Sequence, residues 1–259
     1  MKNLYAKLFD DFNGQFVYKD KEGNPHEMCH FVACKGNKYD MDENKHSRLM
    51  IIGRATNGWS HLETKNAGAF GLDAENAFLS DGFAWLDLDS DRGLYTFDKK
   101  KNKPYYLRRS AFWRVSEKVW KKLANANSCP RWIDYICWSN LYKIAPEFGN
   151  PTSKNCVRQY EACKNILIRE IEEYKPTHIL MVTGIDWLND KKCNFAQDIF
   201  KTKENSIKGS HSRDKEIIVE AIMEYKLNKG SIPVVVTCRP EICNNDDYVK
   251  EVIKAFEIH

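Results

Sequence analysis

Three short apolar runs, each closed by a turn, constrain the fold of this chain most. They are Leu49–Ile52 before Gly53, His178–Thr183 before Gly184, and Pro233–Thr237 before Cys238-Arg239-Pro240. Runs this short, apolar throughout rather than alternating, indicate strands buried on both faces, as in a parallel sheet covered by helices. A fourth strand is expected over Tyr135–Ser139, just before Asn140. Helical periodicity fills the gaps. Phe112, Val115, Val119 and Leu123 form one stripe over Ala111–Leu123. Tyr160, Cys163, Leu167, Ile171 and Tyr174 form another that starts at Ser153, with Thr152 or Ser153 as cap and Pro176 just past its end. Val249, Val252, Ile253 and Phe256 form a third over Asp247–Phe256, capped by Asp246 or Asp247. Strands alternating with helices predict an α/β sandwich. The polar stretch Asn13–Asn44 reads as an extension with a hairpin. Asn189–Asp214 reads as a mobile surface loop.

The chain has 259 residues and a formal net charge of +4, a size within reach of one α/β domain. Residues 1–259 are expected to form a single domain, with 1–46 as its N-terminal extension, and the molecule is expected to be a monomer. The mild positive charge permits contact with nucleic acid without requiring it. Nine cysteines, an odd number with no Cys-x-x-Cys, suit reduced thiols and a cytoplasmic location, as does an N-terminus without an apolar signal core. No apolar run approaches the about 20 residues that span a bilayer, so no membrane partner is expected. Cys29 and Cys34 lie near His26 and His30, but the spacing matches no common zinc pattern. They are read as ordinary thiols, with no metal and no cofactor.

In open parallel sheets, ligands bind outside the carboxyl ends of the strands. That rule selects the loops after the four strands. Gly53-Arg54-Ala55-Thr56-Asn57-Gly58-Trp59 combines two glycines that let the backbone come close to a ligand, an asparagine that can donate and accept, and a flat indole. Its glycine spacing matches neither a phosphate loop nor a dinucleotide fingerprint. Asn140 at its strand end can offer two hydrogen bonds to the edge of a planar amide such as a base, and Lys143 can meet a phosphate. Arg239 can clamp a phosphate or carbonyl in a forked geometry. The alternative is that Arg239 pairs with a neighbouring carboxylate and that Trp59 is simply core.

These loops, in this order, resemble the uracil-DNA glycosylase superfamily. The run Tyr135-Ile136-Cys137-Trp138-Ser139-Asn140-Leu141-Tyr142-Lys143, then Pro146 and Gly149-Asn150-Pro151-Thr152, carries most of the likeness. A helix with Ala162-Cys163 and the segment Lys175-Pro176-Thr177-His178 to Gly184 follow in register. The pattern is most similar to the thermophile-type, iron–sulfur branch. It covers roughly residues 47–256, with long unaligned insertions. The resemblance implies a three-layer α/β/α sandwich around a central, mostly parallel four-stranded sheet. It implies a protein that binds DNA or a nucleobase or nucleotide and hydrolyses the N-glycosidic bond of a damaged or modified base flipped out of the duplex. It assigns Asn140 to the base edge, with Phe70 and Trp59 beside the base. It places Gly53, Thr56, Gly58, Lys143 and Asn150 at the backbone or phosphates. It gives the catalytic positions to Asn57, which can orient a water, and Arg239, which can stabilise the departing base anion.

The departures are specific. Arg239 stands where the superfamily has a histidine, and Ala55 where several branches have a catalytic Asp or Asn. Asn57 is too weak a base to activate water as a carboxylate would. An iron–sulfur cluster needs four cysteines, and only Cys163 falls on a ligand position; Ile144 replaces another. No cluster is expected. The changed loops equally suit a non-hydrolytic nucleic-acid or nucleotide binder, or a small-molecule enzyme on the same fold.

Overall fold

The computed structural model describes residues 1–12, 17–19, 22–55, 60–61, 83–84, 86–89, 91–98, 103–147, 149–202 and 217–258. In chain order its main elements are α1 Lys2–Asp11, β1 Val17–Lys19, β2 Pro25–His30, β3 Cys34–Lys35, β4 Leu49–Ala55, β5 Ser60–His61, β6 Asp87–Asp89, β7 Gly93–Asp98, β8 Lys103–Tyr106, α2 Ala111–Leu123, β9 Ile136–Tyr142, β10 Ile144–Pro146, α3 Ser153–Tyr174, β11 His178–Met181, α4 Phe195–Asp198, β12 Lys201–Thr202, β13 Val219–Lys226, β14 Ser231–Thr237 and α5 Asn245–Glu257.

The main sheet has seven strands among the described residues, in the order β12-β13-β14-β11-β4-β9-β3. β14, β11, β4 and β9 run parallel; β13, β12 and β3 join antiparallel. The expected four-stranded sheet is therefore corrected to a wider, mixed one. The missed strands have a physical reason for being missed. β13 carries Glu220 and Glu224 within an otherwise apolar run, and β3 and β12 are two residues each. Two smaller sheets flank the main one. β1-β2-β10, with β5 on β2, includes the expected N-terminal hairpin, and β6-β7-β8 is a meander.

Side chains alternate across β4 and explain why its sequence is apolar throughout. Met50 and Ile52 pack on one face with α1 and α3, through Tyr5, Leu8, Cys163, Ile166, Leu167 and Ile171. Leu49 and Ile51 pack on the other with α2 and α5, through Val115, Val119, Val249, Val252 and Phe256. Full burial of each such aliphatic side chain contributes about 1.5–3 kcal/mol, so both faces hold their helices. α2 spans the predicted residues. Thr152 caps α3 by accepting from the Asn155 N–H, and Lys175 ends it in the left-handed region at φ +49°. α5 starts earlier than expected. Asn244, rather than an aspartate, accepts from the Asp246 and Asp247 N–H groups.

Within residues 1–46, Tyr5, Leu8 and Phe12 are buried in the core and the Tyr5 hydroxyl donates to Glu170 Oε1 at 2.8 Å. The first half of Asn189–Asp214 is not a surface loop, because Cys193, Phe195 and Phe200 are buried; residues 203–214 lie outside those described. No helix among the described residues is long and apolar enough to cross a membrane.

Candidate functional site

Strand order locates the site. From β4 the chain leaves for β9 on one side, and from β11 it leaves for β14 on the other. The switch in strand order lies between β4 and β11, and a crevice at the carboxyl ends of such strands is where open α/β sheets take ligands. Near these ends stand Val182-Thr183-Gly184 after β11, Cys238-Arg239 after β14, and Gly53 and Asn140, each two residues inside its strand; the expected end of the fourth strand at Ser139 is corrected to Tyr142.

Gly53 and Asn140 are register partners. A Cβ on Gly53 would stand 2.4 Å from Asn140 Oδ1 and 3.8 Å from Phe112 Cε2. The glycine makes room for the amide to lie across the strand against the first turn of α2. Asn140 is 2% exposed, and its Nδ2 finds no hydrogen-bond acceptor among the described residues. A buried donor left in this state costs about 1–3 kcal/mol. The aromatic wall beside it is ordered by edge contacts, with Trp138 4.7 Å from Phe31 and 4.9 Å from Trp113 between ring centroids.

Arg54 is the charged centre of the crevice. Its Nε donates to the Thr183 carbonyl at 2.5 Å, and its guanidinium lies 5.1 Å from the Trp187 ring centroid. Gly184, at φ +80°, permits this approach, since a Cβ there would meet Arg54 Nη2 at 3.2 Å and Glu220 Oε2 at 3.6 Å. Glu220 is itself buried and accepts from the Ile185 N–H at 2.6 Å. Burial, then the charge of Arg239, holds the Arg54 guanidinium below its ordinary value, against the opposing pull of Glu241, Glu220 and Asp186. Two guanidiniums thus share this mouth. Arg54, Glu220, Asp186 and Trp187 were not singled out in the sequence. The legible signal was a glutamate inside an apolar run, at Glu220, but without the strand it had no address.

The predicted residues separate into three groups. Gly53 and Asn140 come together, with Arg239 near Arg54. Arg239 is exposed and forked onto Glu241, with Nη2 to Oε1 at 2.8 Å and Nε to Oε2 at 3.2 Å. Burial alone would raise the Glu241 carboxyl, but the Arg239 fork holds it below its ordinary value. The carboxylate-paired alternative is the one observed. Lys143 is corrected from a phosphate ligand to an internal counter-ion. It is 0% exposed, and its ammonium donates to Ser139 Oγ at 2.6 Å, the Asn140 carbonyl at 2.8 Å and Glu170 Oε2 at 2.9 Å. All three protons are used. Asn150 is exposed in the connection to α3. Thr56, Asn57, Gly58, Trp59 and Phe70 lie outside the described residues.

Cys163 is buried beside Gln159, whose Oε1 lies 3.3 Å from its Sγ. Burial pushes the thiol up to about 12, which favours the protonated form over a thiolate ligand. Among the described residues no group of three or more His, Cys, Asp or Glu side chains is placed to hold a metal ion. Set against known proteins, the chain matches no protein-family model and no curated protein.

Proposed function

We propose that this chain recognises a nucleobase, in DNA or in a free nucleotide, on a uracil-DNA glycosylase-like fold, and that Asn140 reads the base edge. One observation carries the reading. The Asn140 amide is buried beside the crevice, in space that Gly53 leaves open, with its Nδ2 without an acceptor among the described residues. A base carbonyl supplies the missing acceptor and converts that desolvation cost into binding energy. The parallel run of four strands and the switch in strand order between β4 and β11 support the same placement. A base reaches such a site only after leaving its stack, which costs a few kcal/mol and favours mismatched, damaged or single-stranded bases.

A hydrolytic reading has its own support in the two guanidiniums. Hydrolysis adds water at the sugar carbon, breaks the bond to the base nitrogen and leaves negative charge on the base. Arg54 and Arg239 stand where such charge can be stabilised. Arg239 is engaged by Glu241, Glu220 is held by the Ile185 N–H, and Asp186, the third carboxylate acting on Arg54, is exposed. Recognition is therefore the function proposed, with hydrolysis as its second form.

Equilibrium binding of single-stranded oligonucleotides with one uracil or one other modified base tests this, read beside Asn140→Ala and an assay for abasic product. The variant is expected to bind at least about tenfold more weakly, equal to about 1.4 kcal/mol, while folding normally. Unchanged affinity in Asn140→Ala rejects the reading. Abasic product from the wild type selects the hydrolytic form.

A further inference from the structure

We infer that Arg92, Arg108 and Arg109 form a docking surface for the phosphodiester backbone of a nucleic-acid strand passing the mouth of the Asn140 crevice. This rests on the nucleobase reading and names the part of the surface that would hold the strand. The meander and the turn into α2 bring them together. Their guanidiniums lie 5.5, 5.9 and 5.2 Å from the Tyr106 ring centroid. Arg92 Nη1 also donates to the Tyr106 hydroxyl at 3.1 Å. Arg114 fixes the turn from below, donating to the Arg108 carbonyl at 3.1 Å and the Arg109 carbonyl at 3.0 Å.

Three cations around one ring repel one another, and they are offset only in part by Asp89, whose Oδ2 lies 3.5 Å from the Tyr106 hydroxyl and whose charge acts on Arg92. All three are exposed, and none forms an ion pair among the described residues. Three acids stand nearby, Asp89, Asp91 and Glu117, and two of them are engaged. Asp89 Oδ1 accepts the Asp91 and Arg92 N–H groups at 2.9 Å each, and Glu117 is paired with Lys121. A cleft of about 300 Å³ opens beside the cluster, lined by Arg92, Arg108, Leu94, Leu107, Trp113 and Trp132 among others, including Asp91 and Glu117. Arginines held against an aromatic ring, beside a partly apolar recess, are the means by which proteins track a strand without reading it.

Position ties the patch to the crevice. Arg109 stands two residues before α2, whose Phe112 lines the space between Gly53 and Asn140. The first turn of α2 thus links the arginines to the surroundings of Asn140. Phosphate contacts fix register and carry no sequence information, so the two sites divide the work.

The test uses the full chain and a labelled single-stranded oligothymidylate, with affinity measured across a salt series. The triple variant R92A/R108A/R109A is expected to lower the slope of log affinity against log salt by about 2, since each neutralised phosphate on a single strand contributes about 0.7. Affinity at moderate salt should fall by at least about tenfold. R92K/R108K/R109K keeps the charges and is expected to restore most of the slope, and circular dichroism checks the fold of both. An unchanged slope in the alanine variant, or no salt-dependent binding by the wild type, overturns the inference. So does competition by polyglutamate as strong as that by unlabelled oligonucleotide, which would point to an acidic protein partner. Asn140→Ala separates the two claims. It should change base preference and leave the slope alone. A lost slope in the arginine variant with an inert Asn140→Ala keeps the patch and rejects the base-reading asparagine.

Discussion

Asn140 and Gly53 show how one missing methyl group makes room for a buried amide. The amide lies where a β-carbon would otherwise be, with Oδ1 2.4 Å from that position. Gly53→Ala should therefore act on the site more than on the fold. The clashing atom is the far end of a side chain that can rotate away, so the stability cost is expected to stay within about 1–3 kcal/mol. Affinity for a base-containing ligand is expected to fall as far as in Asn140→Ala. Urea denaturation and oligonucleotide titration of the same preparation check this together. A variant that melts early but binds normally would show that the glycine serves packing alone. Arg239 teaches the converse lesson. Its sequence position marked it as catalytic, yet the carboxylate two residues on already holds its fork.

At the scale of elements, the turn after β14 joins chemistry to structure. The Tyr248 hydroxyl of α5 meets Thr237 Oγ1 and donates to the Cys238 carbonyl at 3.2 Å, pinning the strand end to the helix. Within this turn Cys238 Sγ and Cys243 Sγ lie 3.4 Å apart, on either side of Arg239 and Glu241. A disulfide requires about 2.05 Å, so little movement separates the two states. Treatment with glutathione disulfide is expected to join them. The two thiols give up two protons and two electrons, and the oxidant becomes two glutathione thiols. Peptide mass mapping should find a 238–243 crosslink, absent in Cys243→Ser. Alkylation of both cysteines after prolonged oxidation would refute it.

Across the whole molecule, a buried polar knot ties three elements together beneath the crevice. Glu170 of α3 accepts from Tyr5 of α1 through Oε1, and from Ser139 and Lys143 at the end of β9 through Oε2. Lys143 also holds the carbonyl of Asn140, so this knot supports the strand that presents the amide. Removing one buried charge leaves the other uncompensated, at about 3–5 kcal/mol, whereas replacing both by apolar groups is often near neutral. Lys143→Met and Glu170→Leu are each expected to lower the midpoint of chemical denaturation strongly. The double variant should lose less than the sum, a coupling a double-mutant cycle measures. Additive losses would mean that the pair contributes no mutual stabilisation.

The four parallel strands, three of the helices and the edge of the sheet that carries the site were legible because burial on both faces forces apolar runs, and one-sided burial forces helical stripes. Gly53 and Asn140 were expected in turns after their strands, but both strands run on two residues further, because the pairing that extends them is not a local signal. What pairs with what was not local. The use of Lys143 and Glu170 as mutual counter-ions depends on a contact 27 residues apart in the chain. The gathering of Arg54, Glu220 and Arg239 depends on strand order. The arginine cluster depends on how a meander folds back on Tyr106. Sequence by itself determined which segments must be buried. Only the tertiary structure decided which charges were neutralised and which were left facing outward, because a charge is satisfied by its neighbours in space, whatever their distance along the chain.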